Sequence, residues 1–503
     1  MYGDKVHVIS GTQFFPRGGS AHVVRALATD LPERGWDVTV LSGSLGSGLG
    51  DAREFYSGLE VRAVDFDAGD APMHPSYEDR TGAPDRCFAM IGDREYCEHV
   101  HAWSRALEGA GAGEADVLHL HHLTPMNEAA ARVAPSVPVI GHLHGTELMM
   151  LERIAAGPPS HWLHAEAWAT RMRRWADRCS SLIVHTIEEV AVAGALLEVG
   201  ADRFAVVPNG FDPELFKPAS IDRGTFWRER LARSPRGWKP GRAEGSVAYS
   251  EAEAGSLGEA VVLVAVGRFT EVKRLGLLIR AFGDAQRAAK RPAALVLVGG
   301  HPGEWEGEHP FDAVETTGVE NVFLAGWQDH AELPAFFNAA DVQVLASVHE
   351  QFGLVLVEGM GCALPPIAVD RFGPKAIVEP GRTGWLVPPN DRGALAGAMV
   401  EAIDGGEERA ARGIAGRRAA LDLWTWPAIA KDIATLFGNA ASRTADDSGR
   451  SGGSVRGGGL RIDHEIPLAD QEQSTDRADQ GDRRGDVEER VQSAHESVLS
   501  DRL

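Results

Sequence analysis

Short apolar runs alternate along the chain with stretches in which apolar positions recur every three or four residues. Lys5–Ser10 reads as a first strand; Val24, Leu27, Ala28 and Leu31 then fall on one face of a helix. Further strand patterns stand at Asp37–Leu41, Leu59–Val64, Val117–His121, Pro138–His142, Ser181–His185 and Phe204–Val207, with helical stretches between most of them. A second series opens on the Val-rich run Ala260–Val266 and continues with a helix from Lys273 to about Ala289. It then places strands at Ala294–Val298, Val322–Leu324, Val342–Leu345 and Pro366–Val369. Such alternation predicts parallel sheets covered by helices on both faces. The chain therefore reads as two α/β halves of similar size.

Between the halves, Val207-Pro208-Asn209-Gly210-Phe211-Asp212 is a turn signal, and residues 219–258 carry many Arg, Gly and Glu with little apolar periodicity. That segment reads as a hinge plus a surface insertion. A long loop, about 66–94, holds Pro72, Pro75, Pro84 and many Asp. After Phe437 the composition changes. Residues 440–503 contain no aromatic residue and are rich in Gly, Asp and Arg, too polar to bury a core, so they are expected to form a disordered tail.

With 503 residues, 44% hydrophobic and 24% charged, the chain is large enough to need no metal or disulfide staple. Its formal charge of −22 gives no general attraction for nucleic acid or an anionic membrane. Any anion must be held by a few placed cations and backbone amides. Cys87, Cys97, Cys179 and Cys362 form no CxxC or zinc spacing, the N-terminus does not read as a secretory signal, and no window approaches the roughly 20 apolar residues that cross a bilayer. A cytoplasmic protein is expected.

Four motifs carry candidate chemistry. Glu350-Gln351-Phe352-Gly353-Leu354-Val355-Leu356-Val357-Glu358 opens a helix after a strand. Eight residues at 1.5 Å rise put the two carboxylates at least about 12 Å apart, too far to flank one glycosidic bond as an acid–base pair. They suit the two ends of an elongated ligand with hydroxyls at both ends and negative charge between, as in a nucleotide-sugar. The free amides near Phe352, Gly353 and Leu354 would meet its diphosphate. Gly267-Arg268-Phe269-Thr270-Glu271-Val272-Lys273-Arg274 follows the first strand of the second half, at the sheet end where open α/β folds bind ligands, and Arg268 and Lys273 can converge on one diphosphate. Phe15-Pro16-Arg17-Gly18-Gly19-Ser20 is a glycine turn before the first helix, open to close ligand approach but lacking a GxGxxG or P-loop pattern. Gly141-His142-Leu143-His144-Gly145-Thr146-Glu147 ends an apolar run, and His119, His121 and His122 end another. Imidazole is a common metal ligand, but no carboxylate–histidine spacing of known type accompanies these residues. A hydrogen bond from His144 to a sugar hydroxyl is the sharper reading.

Taken in order, these residues resemble family 4 glycosyltransferases, the retaining enzymes of the GT-B fold. The match rests on the Gly18-Gly19 turn, His144-Gly145-Thr146-Glu147, Pro208-Asn209-Gly210-Phe211-Asp212, Gly267-Arg268 with Lys273, Glu350 to Glu358, and Arg382-Thr383-Gly384-Trp385-Leu386-Val387. The resemblance spans about residues 5–437. It implies two Rossmann-like doubly wound domains facing across a cleft: an acceptor domain over 1–215, the hinge and insertion at 216–259, and a nucleotide-sugar domain over 260–423. A helix at 424–439 crosses back onto the first domain, and the tail takes 440–503. It further implies a nucleoside-diphosphate sugar donor, a hydroxyl acceptor, no cofactor and no metal; nucleic acid and membrane are not expected partners. Arg268 and Lys273 would hold the diphosphate, Glu358 the ribose, and Glu350 the donor sugar with the amides of Phe352, Gly353 and Leu354. His144 would lie against the donor sugar, and Gly18-Gly19 near the phosphate or acceptor. One stretch departs from the family pattern Gly-Gly-x-x-Glu-Ile-Val: here it is Phe372-Gly373-Pro374-Lys375-Ala376-Ile377-Val378. A nucleotide-sugar epimerase or hydrolase of the same fold, a non-catalytic nucleotide-sugar-binding protein, and a metal-dependent hydrolase built on the histidines are the rival readings.

Overall fold

The structure, a computed structural model, describes residues 6–79 and 85–449. Two all-parallel sheets organise it. The first has seven strands: β1 (Val6–Thr12), β2 (Trp36–Ser44), β3 (Glu60–Asp65), β4 (Val117–His121), β5 (Val139–His142), β6 (Ser181–Val184) and β7 (Phe204–Val206), in the order β3-β2-β1-β4-β5-β6-β7. The second has six: β8 (Val261–Val266), β9 (Ala293–Val298), β10 (Val322–Gly326), β11 (Val342–Leu345), β12 (Pro366–Val369) and β13 (Trp385–Val387), in the order β10-β9-β8-β11-β12-β13. In both sheets the first strand is central and the order reverses beside it, so a crevice opens at the carboxyl ends of the strands. Both sheets belong to one compact unit.

Burial explains the near-continuous apolar strands. Val8, Ile9, Leu118, Ile140 and Ile183 are fully covered in the first sheet, as are Val262, Leu263, Val264, Leu295 and Val296 in the second. Each is sandwiched between helices, which a parallel sheet requires. β13 is the strand that the periodicity did not predict. Three residues between Gly384 and Pro388 carry too little pattern, and its pairing with β12 through Ile367–Trp385 and Val369–Val387 comes from tertiary contact.

Two segments differ in character from their composition. Residues 216–259, expected as hinge and surface insertion, carry helices at Arg223–Arg228 and Glu251–Ser256. Trp227, Leu231, Trp238, Ala254 and Leu257 are buried there, and Trp227, Leu231, Ala254 and Leu257 join the core under the second sheet. Their apolar residues are few but large, so the average polarity hid a packed layer. The last helix runs Trp426–Gly449, ten residues into the stretch expected as a disordered tail. Its Trp426, Ile429, Ala430, Ile433 and Phe437 pack with Val8, Val23, Leu27 and Trp36 of the first domain, and Ala440 extends that contact. Residues 450–503 of the expected tail lie outside the described residues. Among the described residues no helix is long and apolar enough to cross a membrane.

Candidate active site

The second sheet contributes two loops from its carboxyl end. β8 runs into Gly267-Arg268-Phe269-Thr270 and a short turn, Glu271–Lys273, before the helix Leu275–Ala288. β11 runs into Ala346–Gly353 before the helix Leu354–Gly361. The loops are tied by the Val348 amide, which donates to the Val272 carbonyl at 3.0 Å. That link brings Lys273 Nζ onto the Glu350 carboxylate in a largely buried ion pair. Arg268 and Lys273 line one small cavity with Val266, Gly267 and Ala346.

Arg268 also has a partner that the sequence did not suggest. Glu78, from the long loop of the first domain, takes its guanidinium through two parallel bonds of 2.6 and 2.9 Å. The adjacent carboxylate holds the Arg268 proton still more firmly than usual. Nothing in the loop's acidic composition distinguished Glu78, which lies 190 residues from its partner.

The helix Leu354–Gly361 starts where Gly353 takes a φ of +96°, a conformation glycine adopts without strain. The Gly373 amide donates to the Glu350 carbonyl at 3.0 Å, and any Cβ on Gly373 would overlap the Phe352 backbone. So the glycine retained from the family's pair is the one that close packing demands. Phe372, which replaces the other, sits at φ +49°, an unfavourable region for a bulky residue. Its ring packs on His349 and beneath the Arg371 guanidinium.

Glu358, one turn into the helix, serves a separate end of the site. His330 Nε2 lies 2.6 Å from its Oε1, and the His330 ring packs 4.2 Å from His22 of the first domain's helix Gly19–Asp30. Burial alone would lower His330, but the Glu358 carboxylate outweighs it and raises the imidazole above its usual 6.5. Burial and the neighbouring His330 push His22 down to about 3.

The first sheet supplies the opposite wall. Gly19 faces Leu354 across the cleft, where a Cβ would make van der Waals contact at 3.4 Å, while Gly18 opens into free space. Gly145 has a φ of +90°, and a Cβ there would overlap the Gln351 side chain. The His144–Gly145 turn is thus pressed against the loop that carries Glu350. His144 Nε2 meets His121 Nδ1 at 3.0 Å, and its backbone N–H donates to Glu147 Oε1 at 3.0 Å. Glu147 is fully buried and also accepts from His122 at 3.2 Å. Burial opposes ionisation of Glu147, yet the His122 contact and these hydrogen bonds hold its carboxyl below the usual range. His119, His142 and His185 complete a group of six imidazoles at the ends of β4, β5 and β6.

Lys273 and Glu350 are therefore in direct contact, with Arg268 on the same turn. The turns of Gly18-Gly19 and His144 abut this group from the first domain, and Glu358 faces His330 away from it. His22, His330 and Glu78 are additions that no local pattern marked, while His185 and Gln351 lay in a predicted strand and a predicted motif without a role of their own.

A crevice of this kind between two parallel α/β domains, with cations on one wall and a histidine turn on the other, is the GT-B architecture. Residues 17–215 match the family model described as Glycosyltransferase Family 4, and residues 250–419 match that of Glycosyl transferases group 1. The chain belongs to this family and is a glycosyltransferase. It is 25% identical over 433 residues to the D-inositol 3-phosphate glycosyltransferase of Corynebacterium diphtheriae, covering 84% of this chain and 90% of that one. It is 29% identical over 444 residues to the protein of the same name from Geodermatophilus obscurus, covering 86% and 87%. Among solved structures, sucrose-phosphate synthase from Thermosynechococcus elongatus superposes with a TM-score of 0.62 at 20% identity, covering 87% of this chain and 100% of that one. Anabaena HepE in complex with UDP-glucose gives 0.60 at 18%, covering 86% and 99%.

Proposed function

We propose that this glycosyltransferase moves a sugar from a nucleoside-diphosphate sugar to a hydroxyl acceptor, with retention of anomeric configuration and without a divalent metal. The observation that carries the reading is the grouping of Arg268, Lys273 and Glu350 at the end of the second sheet, with the His144–Gly145 turn closed against it. In this reading Arg268 and Lys273 hold the diphosphate and stabilise the charge that develops on it as it leaves. The free amides at Gly353–Leu354 add the positive end of a helix. Glu350 holds donor-sugar hydroxyls together with Phe352, Gly353 and Leu354. Glu358 offers the ribose the carboxylate oxygen that His330 does not take. His144, kept neutral by burial and by its histidine neighbours, hydrogen-bonds the donor sugar. Gly18 and Gly19 let the acceptor side approach closely.

The acceptor oxygen bonds to the anomeric carbon on the face from which the diphosphate departs. The bond from that carbon to the phosphate oxygen breaks, its electron pair stays on the phosphate, and the phosphate oxygen takes the hydroxyl proton. Two placed cations supply the leaving-group stabilisation that a divalent ion would otherwise give. The reading includes a cytoplasmic location, supported by four cysteines that form no disulfide. UDP-glucose, bound in the Anabaena structure, heads the donor panel to be tested.

Arg268→Ala and Lys273→Ala are each expected to lower turnover by at least about a hundredfold, since each removes a preorganised donor to the developing charge. Near-normal transfer by both variants would overturn the reading. Retention is checked by NMR of the product anomer, and metal independence by unchanged rates in chelator.

A further inference from the structure

We propose that His142, His144 and His185 form a binding site for a divalent transition-metal ion of the zinc class, set in the wall of the cleft. One ring nitrogen from each of the three lies within 4.8 Å of the others. The placement follows from the sheet: His142 is the last residue of β5, His144 stands two residues beyond, and His185 directly follows the neighbouring β6.

The donors suit such an ion. His185 Nδ1 lies 3.1 Å from the Val207 carbonyl, which can only accept, so Nδ1 carries the proton and Nε2 carries the lone pair, which meets the Asn209 side-chain amide at 3.3 Å and would exchange that contact for the ion. Metal-binding histidines are commonly oriented by such an outer carbonyl. His142 Nε2 is buried and has no hydrogen-bond partner among the described residues. A buried polar atom left unpaired is costly, and an ion at this point would satisfy it. An all-imidazole set favours zinc, copper or nickel over magnesium or calcium.

Access distinguishes this triad from the one behind it. His119, His121 and His142 also converge, but all three are buried. His144 is only partly covered, so the front triad is the one solvent can reach, and water would be the fourth ligand of its ion. The ion plays no part in the proposed transfer. By occupying His144 it would compete with the donor sugar, a consequence that rests on the reading of His144 given above.

The test is titration of the full chain, stripped with chelator, with zinc chloride by calorimetry, followed by metal counting after desalting. One zinc per chain is expected, with no heat from magnesium chloride. Saturable binding should be lost in His142→Ala and His185→Ala, and kept in His101→Ala, an exposed histidine elsewhere. Because the buried variants can fail to fold, zinc-edge X-ray absorption on the unmodified chain provides the independent measurement, and a shell containing three imidazole nitrogens is expected. No saturable binding, a shell of oxygen or sulfur without imidazole, or zinc held at full affinity by a folded His142→Ala would overturn the site. Zinc that binds through imidazoles and leaves transfer unaffected upholds the site and refutes the placement of His144 against the donor sugar.

Discussion

Glu78→Gln separates the donor-binding role of Arg268 from a purely structural one. The carboxylate grips the guanidinium through two bonds of 2.6 and 2.9 Å, with side-chain exposures of 17% for Glu78 and 42% for Arg268. A pair this open to solvent is worth about 1 kcal/mol, not the several that its two-pronged geometry would give if dry. A donor diphosphate that uses Arg268 must displace Glu78 and forgo that energy. Glutamine keeps the shape and removes the charge, so the competition falls. At about 1.4 kcal/mol per decade, donor affinity should rise about fivefold, and the gain should shrink as salt screens the wild-type pair. Calorimetry with UDP, GDP and ADP at two salt concentrations reads this directly. Global stability should fall by no more than the same ~1 kcal/mol. Weaker nucleotide binding by Glu78→Gln would refute the reasoning, because it would mean that Glu78 helps to hold the ligand. Unchanged binding, with Arg268→Ala equally silent, would remove Arg268 from the diphosphate site.

Gly145→Ala should destabilise the fold by about 1–3 kcal/mol from its φ of +90° and also push Gln351 from the cleft. Adding Gln351→Ala should restore the space but not the strain, so thermal unfolding should recover only in part; full recovery would show that the backbone angle costs nothing. The His330–Glu358 pair makes a contribution that is present below the ordinary imidazole value of 6.5 and lost as pH rises through the raised folded value. The stability gap between wild type and His330→Asn should therefore close as pH rises past that raised value; a gap that widens with pH would contradict the assignment. His22, uncharged in the folded state with a value near 3, acts in the opposite sense. Stability should fall as pH drops from 6.5 toward 3, and His22→Phe should flatten part of that slope in acid unfolding curves.

The central strands of both sheets were legible because a parallel strand buried on both faces must be apolar along its whole length, and Val261–Val266 or Ala293–Val298 admit little else, whereas the short edge strand Trp385–Val387 was missed. The site turns were legible because they stand directly after such strands. What stayed hidden depends on distant pairing. Trp227 and Trp238 are isolated apolar residues in a polar stretch, and only the second domain's packing reveals them as core. His330 reads as one polar residue in a loop until Glu358 and His22 close around it. Ala440 looks like the start of a tail until the first domain covers it.

The net charge of −22 predicted that an anionic ligand must be met by a few placed cations, but not how those cations are kept. Around the cleft each is already matched: Arg268 by Glu78, Lys273 by Glu350, and Arg17 by both oxygens of Asp85 at 2.7 Å. Binding a diphosphate here is thus an exchange of one anion for another, and its free energy is a difference between two ion pairs. An exchange discriminates by geometry more than by charge. A ligand with two linked phosphates can replace both the Glu78 and the Glu350 contacts at once, whereas a single phosphate that takes Arg268 leaves Lys273 with Glu350. A nucleoside monophosphate should accordingly bind more weakly than the diphosphate, but by less than loss of an unpaired Lys273 contact would imply, because Lys273 keeps Glu350; Glu78→Gln should strengthen binding of both ligands alike and leave that gap in place in the same calorimetry.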